Sequence, residues 1–381
     1  MANNKKLDIC ILSTGRFHLL DLARELSDLG HNVQFISYVP KTRCKKFGLP
    51  EKCHEGLFIY FSPLIFWQFY LPFLLPKFRE KVQFKVINYL AIKKMKRCDL
   101  VIGMSGIYLE AFIYAKNKFG AQINLHRGSK HILEQDKILA KVKGAERPTK
   151  FVIQREISGY EIADYILIAS KHVYDSFETN KSHQKKCKII SYGVDINQFE
   201  YSHRNILKEQ RNIVAVYAGM WTYRKGCDLI IEVLKQRPDI EFIHVGDIVE
   251  CPFPKMKNLK HIDRVDQNEL KFIYARADFF VLASREDGFG VVLSQALASG
   301  LPVLATEDTG APDLKLSKAL EDNIQIVKSD NFLALMNGFD QIVDRFLSGP
   351  QFCHLSKEDR ELLSWSGYGL RYNDFLAETL L

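Results

Sequence analysis

Short apolar runs alternate along this chain with stretches whose apolar residues recur every three or four positions. "LDICILSTG" (7–15) reads as a buried strand. In "HLLDLARELSDLG" (18–30), Leu19, Leu22, Ala23, Leu26 and Leu29 share one helical face and Gly30 is the stop. "HNVQFIS" (31–37) predicts the next strand. Further on come a strand "DLVIGMS" (99–105), a helix "IYLEAFIYAKNKFG" (107–120) and strands "AQINLH" (121–126) and "YILIAS" (165–170). A βαβ series of this kind predicts a parallel sheet covered by helices.

The pattern restarts at 212. "NIVAVYAGM" (212–220), "IEFIHVGD" (240–247), "LKHIDRV" (259–265), "DFFVLAS" (278–284) and "LPVLATE" (301–307) read as strands. "CDLIIEVLKQRP" (227–238), "QNELKFIYARA" (267–277) and the run from Val291 to Ala298 read as helices. The turn-rich stretch "SYGVDINQFEYSHRN" (191–205) is the expected linker. The fold class is therefore α/β, with two Rossmann-like, doubly wound domains. Such domains bind ligands in loops at the carboxyl ends of their strands, here in the cleft between the halves. Neither half has G-x-G-x-x-G after its first strand, which disfavours a dinucleotide oxidoreductase, the rival at fold level.

The 381 residues suffice for two domains, and 47% hydrophobic with 26% charged residues describes a folded chain. The eight cysteines form no C-x-x-C pair, so neither zinc nor a disulfide framework is expected. "MANNKKLDICILSTG" lacks a signal-peptide pattern, which with the cysteine usage points to the cytoplasm. The net charge of +8 is uneven: residues 1–200 hold 32 Lys/Arg against 19 Asp/Glu. The basic density peaks at 77–97, directly after "LFIYFSPLIFWQFYLPFLLP" (57–76), which has no charge. An aromatic wedge beside a basic face predicts contact between 57–97 and an anionic membrane surface. A buried core segment with a solvated basic helix is the alternative; three prolines argue against a single spanning helix. No nucleic-acid motif occurs.

The chemistry concentrates in "SREDGFGVVLSQALASG" (284–300). The first amides of a helix lack intrahelical partners and carry partial positive charge. Glycines let a ligand approach such backbone closely. Gly288, Phe289, Gly290 and Val291 are thus candidates to bind phosphate or hydroxyls. Asp287 is placed to accept from a sugar hydroxyl, and Gln295, one turn on, leans back toward the same point.

This phrase resembles the donor-site motif of the GT-B glycosyltransferases, in particular glycosyltransferase family 4. That family usually has two glutamates eight positions apart; Asp287 and Gln295 stand at those places here. The resemblance gives Asp287 the donor sugar and Gln295 the ribose, with Glu286 as a substitute for Asp287. "YAGMWTYRKGCDLII" (217–231) is similar to the segment whose basic pair grips the donor diphosphate, making Arg224 and Lys225 the equivalents. "STGRFHLLDLARELSDLGH" resembles the first loop and helix, with Gly15 near donor phosphate. "NLHRGSKHI" (124–132) resembles the loop with a donor-sugar histidine or Arg-Gly-Ser, making His126 and Arg127 candidates. "KIISYGVDINQF" (188–199) is similar to the interdomain phrase, where Gly193 is expected in a special backbone conformation. "LSWSGYGLRYNDFL" (363–376) resembles a C-terminal helix that returns to the first domain.

The resemblance implies domains at 1–195 (acceptor side) and 196–360 (donor side), with 361–381 crossing back. It implies a retaining, metal-independent hexosyltransferase with no cofactor, its nucleotide-sugar donor (UDP-sugar by default) being a substrate. The acceptor is expected to be a glycan or lipid-linked molecule of envelope polysaccharide or lipopolysaccharide synthesis, and the protein peripheral at the inner membrane face. The catalytic candidates are Arg224, Lys225, Asp287 and His126; none is singled out as a general base. The alternatives are a non-catalytic nucleotide-sugar-binding protein, or an epimerase or phosphorylase of the same architecture.

Overall fold

The computed structural model of the protein describes residues 6–60, 67, 76–199, 212–347 and 352–380. Two wholly parallel sheets form the frame. The first contains β1 (Asp8–Ser13), β2 (Asn32–Ser37), β3 (His54–Gly56), β4 (Leu100–Met104), β5 (Gln122–His126), β6 (Tyr165–Ile168) and β7 (Cys187–Ile189). Their order is β3-β2-β1-β4-β5-β6-β7, with Ile9 opposite both Val33 and Leu100. The second contains β8 (Ile213–Ala218), β9 (Ile240–Val245), β10 (Leu259–Ile262), β11 (Phe279–Leu282), β12 (Val303–Thr306) and β13 (Ile324–Val327), ordered β10-β9-β8-β11-β12-β13. Strands such as β11 and β12 are buried along their whole length because helices cover both faces.

The strand order reverses between β1 and β4 in one sheet and between β8 and β11 in the other. The loops leaving neighbouring strands there turn to opposite faces and leave a crevice. The chain after β1, β8 and β11 supplies the candidate residues, except His126 and Arg127, which stand at the end of β5.

Apolar periodicity predicts the strands that pack at the sheet centres. It gives no assignment for the three-residue edge strands β3 and β7, for β13, or for the helices Lys150–Ile162 and Phe332–Leu347. The expected linker is only partly a polar tether. Its alternating apolar residues Tyr192, Val194 and Ile196 are buried, as is Phe199. Residues 200–211 lie outside the described residues. Of the uncharged 57–76 stretch, 61–66 and 68–75 also lie outside them. Among the described residues no helix is long and apolar enough to cross a membrane.

The final helix, Trp365–Leu380, packs on the first helix of the chain, Phe17–Asp28. His31 Nε2 meets Asn373 Oδ1 at 2.8 Å, and the Tyr372 hydroxyl reaches His126 Nε2 at 3.1 Å. The helix is introduced by backbone pairing: Val194 N–H donates to Leu363 O (2.8 Å), and Trp365 N–H to Val194 O (3.2 Å). Gly193, expected in a special backbone conformation, does not have a positive φ; what the structure requires there is close approach. A Cβ there would lie 2.4 Å from Ser364 O and 2.6 Å from Trp365 Cα. Gly193→Ala is expected to force these backbones apart and to cost about 1–3 kcal/mol, the usual range for overpacking. Chemical unfolding measures it, and an unchanged midpoint contradicts the account.

Candidate functional site

A cavity of about 710 Å³ lies between the two sheets at the paired crevices. From the second sheet it is lined by Gly219, Lys225, Asp287, Phe289 and the start of the Val291–Ala298 helix. From the first it is lined by Arg16, Phe17, His18, Asp21, Arg127 and Glu156. Gly290 caps that helix in a left-handed conformation, φ 74°. Val291 and Val292 face the cavity, so the unpaired first-turn amides are at its wall.

The loops after β8 and β11 are zipped together by charge. Lys225 Nζ pairs with Asp287 Oδ2 at 2.5 Å, and Arg224 Nη2 with Glu286 Oε2 at 2.6 Å. Arg285 ties the other side, donating to Tyr223 O at 2.5 Å and pairing with Asp228 at 2.7 Å. Glu286 is fully buried, and its second oxygen accepts Lys130 N–H of the opposite domain at 3.2 Å. More bonds cross there: Lys130 Nζ to Asp308 Oδ1 (2.6 Å), Ser170 Oγ to Gly288 O (2.7 Å) and Arg16 Nη1 to Gln267 Oε1 (3.1 Å). A Cβ on Gly288 would lie 1.8 Å from Gly128 O, so only glycine lets these two loops touch.

The expected residues thus fall into three positions. Lys225, Asp287, Phe289, Gly290, Val291 and Arg127 line one cavity. Arg224, Glu286 and Gly288 sit where the domains meet, committed to the contacts above. His126, Gly15 and Gln295 are set back from the cavity wall. Gln295 is buried, and among the described residues its Oε1 has no hydrogen-bond partner, nor do the buried hydroxyls of Ser284 and Ser294. The Gly15 carbonyl accepts from Ser13 Oγ at 2.7 Å.

Residues 198–319 match the family described as "Glycosyl transferases group 1". The chain superposes on sucrose-phosphate synthase from Thermosynechococcus elongatus with a TM-score of 0.68 and 16% identity, covering 97% of this chain and 98% of that one. Anabaena HepE, determined in complex with UDP-glucose, gives 0.68 at 15% identity over 98% of this chain and 100% of that one. The fold is GT-B. A further relative is the processive diacylglycerol alpha-glucosyltransferase of Acholeplasma laidlawii. It is 24% identical over 218 residues, 49% of this chain and 64% of that protein, so the alignment spans less than two thirds of the relative.

Within this GT-B cleft, burial alone would raise the Asp287 carboxyl. The Lys225 ammonium and its hydrogen bond outweigh that, with help from Arg224, and Asp287 titrates below its ordinary value. On the opposite wall burial lowers His18 to about 3. Burial, then the neighbouring His18, holds His126 well below the usual imidazole value. The two rings share one hydrogen bond, His18 Nε2 to His126 Nδ1, at 2.9 Å. His126 therefore reaches the cleft only through His18, which stacks on Tyr192 at 4.0 Å.

His18, Asp21 and Glu156 were not singled out from the sequence. Asp21 is buried on the Phe17–Asp28 helix and paired with Arg24 (2.9 Å) and Arg16 (3.4 Å). Glu156 accepts from Arg127 Nη1 at 2.9 Å and from Ser105 Oγ at 3.1 Å. A carboxylate among the leucines of an amphipathic helix was the available signal for Asp21. Phe17, at the cleft rim, holds an unusual φ of 37° while 54% exposed.

Two outcomes follow from these pairings. Arg224→Ala leaves Glu286 as a buried, uncompensated carboxylate and is expected to cost about 3–5 kcal/mol. Lys225→Ala is expected to cost less, because the Asp287 side chain keeps 18% of its surface in solvent. Urea unfolding of both variants distinguishes them, and equal losses count against the pairing. The histidines give a pH dependence. Their folded pKa values lie below the unfolded one, so the unfolded chain binds more protons between about pH 6.5 and pH 3. Stability present above that window is lost as pH falls through it, by up to about 1.4 kcal/mol per pH unit for each histidine. Unfolding midpoints at pH 7 and pH 5 should differ less in His126→Gln than in the parent; identical slopes sink the assignment.

Proposed function

We propose that the protein is a glycosyltransferase of the retaining, metal-independent kind. In this reading it moves a hexose from a nucleotide-diphosphate sugar, with a UDP-sugar the first candidate, to a hydroxyl of a glycan or lipid-linked acceptor. The observation that carries the reading is the convergence of Lys225, Asp287 and the first-turn amides at Val291 and Val292, from one domain, with Arg127, from the other, around one cavity. The UDP-glucose complex of HepE and the matched group 1 segment support the donor. The lipid acceptor in the name of the Acholeplasma relative supports a lipid-linked acceptor; in this reading the protein is cytoplasmic, works at the inner membrane face and serves envelope polysaccharide or lipopolysaccharide assembly.

The chemistry follows from the charges. The bond from the anomeric carbon to the diphosphate oxygen breaks while the acceptor oxygen bonds to the same face. The acceptor proton passes to the departing oxygen, so no protein base is required. Negative charge grows on the diphosphate. It meets Lys225 and the helix amides directly, and Arg224 through its field. Asp287 accepts from a sugar hydroxyl, and Arg127 with His18, backed by His126, closes the cavity from the first domain. Water is excluded by the interdomain bonds around Glu286 and Lys130.

A thermal-shift screen of nucleotides followed by a transfer assay tests the proposal. UDP at about 100 times its dissociation constant is expected to stabilise the protein by about 2.7 kcal/mol. Lys225→Ala should remove most of that shift and lower transfer about 10²–10³-fold. Transfer should persist in a chelator. A nucleotide shift without any transfer product would favour a binding protein, and no shift with any nucleotide would end the reading.

A further inference from the structure

The helix Pro76–Lys94 presents one stripe to solvent: Phe78, Lys81, Lys85, Tyr89 and Lys93 are exposed, while Ile87, Asn88 and Ala91 are buried beneath them. At 100° per residue these five positions fall within an arc of about 120° over about 22 Å. The turn after β3 adds Ile59 (81% exposed), Tyr60 and Phe58. Lys94 joins the two elements, pairing with Glu55 at 3.0 Å and lying 5.9 Å from the Tyr60 ring. Trp67 continues the surface at 6.4 Å from the Phe78 ring. Four of the six exposed aromatic side chains among the described residues, Phe58, Tyr60, Phe78 and Tyr89, lie here; Phe17 and Phe272 are the others. The helix has one acid, Glu80, which accepts from Thr149 Oγ1 at 3.0 Å.

The position of the stripe relates it to the cleft. Asn88 Nδ2 donates to Ile107 O at 2.8 Å, and Tyr38 hydroxyl to Ile87 O at 3.3 Å. These bonds set the middle of the helix level with the loops leaving β4 and β2. Phe84 of this helix lies 4.8 Å from the Arg155 guanidinium, which donates to Gly106 O, next to Ser105 at the cavity. Lysines among aromatic and aliphatic side chains, with hardly any acids, suit a surface that is anionic outside and apolar beneath. A polyanion without an apolar phase would leave Ile59 and Phe78 in water.

We propose that Phe58–Tyr60 and the Phe78–Lys93 stripe dock the protein on an anionic phospholipid bilayer. The lysines meet the headgroups, and the aromatic residues and Ile59 enter the interface. Beside the cleft mouth, this contact presents a membrane-embedded acceptor to the cavity; that last consequence alone rests on the transferase reading.

Co-sedimentation of the full chain with phosphatidylcholine vesicles and with mixed phosphatidylcholine/phosphatidylglycerol vesicles tests the docking. Binding is expected only to the mixed vesicles and should weaken as salt is raised. K81Q/K85Q/K93Q should weaken it about 100-fold, near fivefold per lysine neutralised. I59S/F78S should release the fraction that persists at high salt. Both variants change exposed residues and should keep the parent's thermal midpoint and its nucleotide-induced shift. Equal affinity for both vesicle types, undiminished binding by both variants, or tighter retention by single-stranded RNA than by mixed vesicles overturns the proposal. Vesicle binding by a protein that takes no nucleotide would leave the docking intact and remove the transferase reading.

Discussion

Everything at the cleft depends on one buried carboxylate that has partners in both domains. Glu286 receives Arg224 from its own domain and the Lys130 amide from the other. Burying a carboxylate is costly unless charge and hydrogen bonds surround it. That requirement fixes the loop after β11 against the loop after β8, and both against the loop after β5. The neighbouring pair, Lys225 with Asp287, is thereby held at the cavity wall with its charges already arranged. Preorganised charge of this kind needs no rearrangement when charge develops on a ligand.

The same arrangement explains why the cations do not repel one another in an unliganded cleft. Each is answered by the acid that follows it in the zipper, and Arg285 is answered by Asp228 and Asp330. An anion entering there would meet a site of balanced charge and would compete with Asp287 for Lys225 without having to organise it. The opposite wall works differently: there two neutral imidazoles and a tyrosine hydroxyl pair with one another, and burial keeps them uncharged.

Much of this was legible in the sequence, because central parallel strands must be apolar throughout and their loops carry the chemistry. β8, β11 and the helix after Gly290 could be read directly, as could the basic pair at 224–225. The edges were not legible: three residues of β3 or β7 carry too few positions to establish a period. Partnerships across domains were not legible either. Nothing local distinguishes Glu286, which is fully buried, from Asp287, which lines the cavity. His126 stood out within its motif, yet His18, more than a hundred residues earlier, is the ring that faces the cleft. Gly193 was recognisable as special, but not the backbone that crowds it, which comes from Ser364.

The Trp365–Leu380 helix carries a consequence for how the protein is made. It covers the first helix of the chain and supplies the hydroxyl that His126 bonds. On the ribosome, the first domain emerges long before that helix exists. Until that helix has been made, the groove between the Phe17–Asp28 helix and β5 stays open to water. The first domain thus waits for a segment made only after the whole second sheet before its own interior is sealed.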